Sequence, residues 1–98
     1  MNPVLTIIQQ NIKMIQIEYP SVTVHRDDVL PGITQFILNS STMIFFIKYD
    51  GSKRVLVSTI AMEYETGGNI EINDLITEPI GKLKDMYTQQ HNSLARLG

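Results

Sequence analysis

Three groups of residues in this 98-residue chain have the types that chemistry needs. Glu63, Glu65 and Glu71 are carboxylates close together in sequence. Gathered on neighbouring strands, they could exchange protons as general acid and base, or hold a hard cation through oxygen. An acidic solvated face, or a contact for a basic partner, is the commoner use of such a group. His25, Asp27 and Asp28, with His91 far along the chain, are acceptable metal ligands by type. Nothing in their spacing brings His91 to the other three. His25-Arg26-Asp27 has the letters of a kinase catalytic loop, but no glycine-rich loop or Val-Ala-Ile-Lys strand precedes it. A polar strand end entering a loop explains it as well. Lys48, Tyr49, Lys53 and Arg54 crowd the Asp50-Gly51 dipeptide. Cations around an aromatic ring can grip a phosphate backbone and stack a base. Only three positive charges contribute, with Asp50 among them, so charges guarding strand ends account for the pattern equally. The sequence therefore predicts no catalytic residue, no metal and no cofactor.

Composition narrows the field further. The chain carries eight Lys and Arg against ten Asp and Glu, a net charge of −2. That is no electrostatic footprint for a nucleic-acid duplex, and too mild for a nucleic-acid mimic. With no cysteine, thiolate chemistry and disulfides are excluded and a cytoplasmic setting is expected. The first residues lack the basic and apolar regions of a secretion signal, and no stretch approaches the ~20 apolar residues of a membrane span. Asn39-Ser40-Ser41 is then a turn rather than a glycosylation site. Gly67-Gly68 lacks the Lys-Ser or Lys-Thr of a phosphate loop. Fourteen isoleucines fit an AT-rich coding genome, such as that of a phage or a low-GC bacterium.

The elements that must position these groups follow from periodicity. Asn2-Pro3 opens a helix, with Leu5, Ile8, Ile12 and Ile15 at helical spacing and Pro20 stopping it near Glu18. Residues 21–26 and 33–38 alternate as strands, with 27–32 as the loop between them. Residues 39–42 turn into a third strand, 43–49. Asp50-Gly51 is the strongest hairpin signal in the chain. A fourth strand runs from about Lys53 to Glu65, and Thr66-Gly67-Gly68 turns it into a fifth, 69–73. A closing helix, capped by Asp74 or Thr77, carries Ile80, Leu83, Tyr87, Leu94 and Leu97 on one stripe. The fold class predicted is α+β, as one domain over residues 1–98: an N-terminal helix, a five-stranded antiparallel meander and a C-terminal helix.

Turn length sets register, and register sets faces. With a two-residue Asp50-Gly51 loop, Phe46 faces Val55 and Ile44 faces Val57. With a four-residue loop at 39–42, Leu38 faces Met43. With a three-residue 66–68 loop, Ile70 faces Tyr64 and Ile72 faces Met62. Phe36, Leu38, Met43, Phe45, Ile47, Leu56, Ile60, Met62, Tyr64, Ile70 and Ile72 then share the core face. Ile33, Ile37, Ile44, Phe46, Val55, Val57 and Ala61 share the other, with Lys48 and Lys53 at one end and Glu63, Glu65 and Glu71 at the opposite end.

Such a second face is too apolar to leave wet. A helix, another protein or a second copy must cover it. A two-fold pair would set each basic end over the partner's acidic end. The sequence therefore points to a non-enzymatic interaction or regulatory protein, dimerising through Ile37, Ile44, Phe46, Val55, Val57, Lys48, Lys53, Glu63 and Glu71. Single-stranded nucleic-acid binding through residues 48–54, and a small enzyme using Glu63, Glu65 and Glu71, are the alternatives.

Overall fold

The computed structural model describes residues 3–61, 64–78 and 81–97. Two helical ends enclose a five-stranded antiparallel sheet in the order β1-β2-β3-β4-β5. Helix α1 is Pro3–Glu18, and the strands are β1 Thr23–Leu30, β2 Ile33–Asn39, β3 Ile44–Tyr49, β4 Arg54–Ala61 and β5 Tyr64–Glu71. Helices α2 Ile72–Thr77 and α3 Lys82–Leu97 follow. The α+β meander expected from the sequence is present, with two helices after the sheet rather than one.

Helix α1 forms because Val4, Ile8, Ile12 and Ile15 return every three or four residues and are buried together. Tyr19 N–H still bonds Ile15 O at 2.7 Å. Pro20, which disfavours the helical conformation of the residue before it, then ends the helix.

The turns depart from the simplest reading, and each departure has a side-chain cause. Strand β1 continues to Leu30, so only Pro31-Gly32 is left between the strands, with Leu30 opposite Ile33. Proline at the first corner and Gly32 at φ +82° satisfy a type II turn. The strand absorbs a bulge between Asp27 and Leu30, pinned where Thr34 Oγ1 donates to Asp28 at 3.0 Å. Between β2 and β3 the pairing slides two residues, with Leu38 opposite Phe45. There the Ser40 hydroxyl accepts the N–H groups of Thr42 and Met43. A shift of two keeps every side chain on its expected face.

Between β3 and β4 the shift is odd, and it inverts β4. Ile47 pairs with Val57 and Lys48 with Leu56. Asp50 accepts Ser52 N–H at 3.0 Å, and the Ser52 hydroxyl accepts Arg54 N–H at 3.3 Å. These bonds hold the link over residues 49–55, between the paired residues Lys48 and Leu56, in place of the two-residue turn. Thr66-Gly67-Gly68 is not a turn. It lies inside β5, opposite Thr59, Ser58 and Val57, and Ile70 faces Val55 rather than Tyr64.

The core lies on one side of the sheet. Phe36, Leu38, Phe45, Ile47, Val55, Val57 and Ile70 meet Val4, Ile8, Ile12 and Ile15 of α1, Leu75 of α2, and Leu83 and Tyr87 of α3. Burying Phe45 fully contributes about 2–3 kcal/mol. Leu56 and Ile60, expected in this core, are exposed. Ile72, expected on β5, opens α2. Ile80, Met62 and the side chains of Tyr64 and Leu97 lie outside the described residues.

Helices α1 and α3 run side by side in the same direction. Asn11 Oδ1 accepts the N–H of Gly81 at 3.1 Å and of Lys84 at 3.4 Å. Further along, Lys84 meets Glu18 at 2.8 Å, and that bond holds the Lys84 ammonium pKa above its usual value. Tyr19 then rests on Tyr87 and His91, with ring centroids 5.1 and 4.6 Å away. Among the described residues, no helix is long and apolar enough to cross a membrane.

Candidate functional site

With the helices on one side, the other side of the sheet is open. Its side chains stand in rows across the strands, set by the register. The middle row is His25, Ile37, Phe46, Ser58 and Gly67. On one side of it lies the row Thr23, Asn39, Ile44, Ile60 and Glu65. On the other lies Asp27, Gln35, Lys48, Leu56 and Asn69.

Ile37, Ile44, Phe46, Leu56 and Ile60 are therefore neighbours on β2, β3 and β4. Ile37, Ile44 and Phe46 are half-buried, while Leu56 is 45% and Ile60 37% exposed. A ridge of five large apolar side chains on one face is more than the scattered exposed residues of an ordinary surface.

The structure places part of the sequence-derived set on the open face. Ile37, Ile44, Phe46 and Lys48 are on the open face. Val55 and Val57 are not: the odd shift after Asp50 turns them under the helices, at 0% and 5% exposure. Leu56 and Ile60 take their place. The run Val55 to Ala61 is apolar or small at both parities, so burial pattern alone could not choose between them. Lys53 lies exposed in the connection rather than on the face. Glu63 lies outside the described residues.

The expected polarity also changes. Glu71 belongs to the end of the sheet that carries Arg54, and accepts from its Nε at 2.8 Å. Glu65 faces Ile60 at the opposite end. Six residues of extended strand separate Glu65 and Glu71, about 20 Å, so these two carboxylates do not form a cluster. Among the described residues, no three His, Asp or Glu side chains converge as a metal site. His25 sits on the open face of β1, while His91 packs with Tyr19 and Tyr87 on the helical side.

In the hairpin of residues 48–54, Arg54 is engaged by Glu71 and Tyr49 packs against the core, while Lys48, paired with Leu56 in register, and Lys53 are exposed. At the tip, hydrogen bonds from Ser52 hold the Asp50 carboxyl below its usual pKa, which keeps it ionised.

No protein-family model matches the chain, and neither a curated protein nor a solved structure matches it.

Proposed function

We propose that the chain is a non-enzymatic interaction protein that works as a homodimer, with the open faces of two sheets packed together. The observation that carries this reading is the uncovered ridge of Ile37, Ile44, Phe46, Leu56 and Ile60. Two supporting arguments favour a second copy as its cover.

The first is area. Five strands at ~4.8 Å spacing and seven residues at ~3.3 Å give a face of about 550 Å2. Two such faces bury about 1,100 Å2, just above the ~1,000 Å2 that a specific interface needs. The second is symmetry. Phe46 occupies the middle row of the middle strand. A two-fold axis lying between the sheets, across the strands and through Phe46, sets Phe46 on its counterpart. The same rotation carries Leu56 over Ile60 of the second copy and Lys48 over its Ile44. An axis along the strand would instead set Lys48 on Lys48, a like-charge contact that an interface avoids.

Light scattering after size exclusion tests the reading. The expected mass is twice the 11.1 kDa of one chain and stable over a hundredfold dilution. Phe46→Asp halves it without changing the circular dichroism spectrum. A monomeric parent, or an unchanged mass for a folded Phe46→Asp, removes the proposal.

A further inference from the structure

The helical side of the molecule holds a separate groove, between α1 and the edge strand β1. Its existence follows from hydrogen-bond parity. Ser40 N–H bonds Met43 O at 3.0 Å. The alternate pairs Leu38–Phe45 and Phe36–Ile47 therefore exchange bonds between β2 and β3. Gln35, Ile37 and Asn39 then turn their backbone groups toward Asp27, His25 and Thr23 of β1. By the same alternation, Val24 and Arg26 direct their N–H and C=O away from the sheet.

At the start of this edge, a side chain stands in for a missing strand. Gln16 Nε2 of α1 donates to Val22 O at 3.3 Å. Beyond that point, helix and strand separate around a cavity of about 560 Å3. Ile12, Val24 and Phe36 supply its apolar surface, and Lys13 and Arg26 its charges. Arg26 lies over the Phe36 ring, 5.7 Å from its centroid. It pairs with Asp28 at 3.4 Å, an exposed pair that a competing carboxylate can displace. No carboxylate lines the groove among the described residues, although the whole chain has a net charge of −2.

We infer that this groove takes an extended acidic segment of a partner protein, added as a sixth strand along β1. The backbone of the segment bonds Val24 and Arg26. Side chains alternate along it, so the residue beside Val24 is apolar and the one two positions on, beside Arg26, is a carboxylate shared with Lys13. The strand supplies main-chain bonds, and the two cations select against a basic or neutral sequence.

A seven-residue acetylated and amidated peptide tests this, with threonine at alternate positions and one valine and two glutamates between them. It is titrated into the 15N-labelled protein at low salt. The expected result is shifts and slowed exchange at the Val24 and Arg26 amides, with affinity falling at least tenfold in Arg26→Glu and in 0.5 M salt. Lys13→Glu, at an exposed helix position, carries the same expectation should Arg26→Glu fail to fold. Four results would each overturn the inference. One is no shift at millimolar peptide. Two others are equal binding of the peptide with lysine for glutamate and equal binding of one N-methylated at alternate amides. The fourth is tighter binding of an oligothymidylate than of the peptide.

Discussion

Replacing Asn11 with leucine keeps the number and branching of side-chain heavy atoms and removes both the acceptor and the amide donor. Its consequence can be worked out from the start of α3. Gly81 precedes that helix with φ +103°, and its carbonyl already accepts Asp85 N–H at 2.6 Å. It is thus the capping residue, yet it has no side chain to cap with. Asn11, fully buried on α1, does this from outside by accepting Gly81 and Lys84 N–H. Losing a cap costs about 0.5–2 kcal/mol, and a buried unsatisfied donor about 1–3 kcal/mol. The Nδ2 bond to Ile7 O is worth less, because that carbonyl also belongs to the helix ladder. A total near 2 kcal/mol is expected, lowering Tm by about 8–16 °C in a domain of this size. Urea unfolding should show a lower midpoint at constant slope. Exchange of the Gly81 and Lys84 amides should accelerate beyond that of the β3 amides. A leucine variant within 0.5 kcal/mol of the parent would refute the cap as the source of stability.

Two further perturbations read the same core. Gly68→Ala should stabilise by about 0.5–1 kcal/mol in thermal or urea melts, because its Cβ meets only the flexible Met86 Cε, at an ordinary 3.7 Å, and a glycine leaves the strand. The Tyr87 phenol is pushed above its usual pKa, mainly by burial, with a hydrogen bond to Ser40 pulling the other way. The unfolded phenol ionises first, so stability holds up to about pH 10 and falls as pH rises through the raised folded value; Tyr87→Phe should flatten that fall in melts taken from pH 9 to 12.

The order of elements was legible because each strand pairs with its neighbour in sequence, and the bounds of α1 because Pro20 and its apolar spacing agree. Phe36, Leu38, Met43, Phe45 and Ile47 were legible as core because a shift of two preserves faces, and Ile70 keeps its expected face because the odd shifts on the two sides of β4 cancel. Strand β4 was not. Its side chains satisfy either parity, and the choice rests on Ser52, whose hydroxyl lengthens a connection that Asp50-Gly51 alone would have kept short. Thr66-Gly67-Gly68 reads as a turn by composition. Its place inside β5 rests on its pairing with Thr59, Ser58 and Val57 of β4, a tertiary fact. Asn11 gave no signal, since its partners lie 70 and 73 residues away. The β1 groove was hidden because Arg26 was assigned to the end of a strand that continues to Leu30.

The parallel pairing of α1 and α3 sets an order on synthesis. The meander can zip as it leaves the ribosome, each strand finding the one just made. Asn11, however, emerges 70 residues ahead of Gly81, about 4–14 s at ~5–20 residues per second. For that interval, Ile8, Ile12 and Ile15 must wait without the helix that completes their cover. Helix α3, made after the sheet, is the one that closes the core, so the nascent chain is most exposed to aggregation and to chaperones just before α3 arrives.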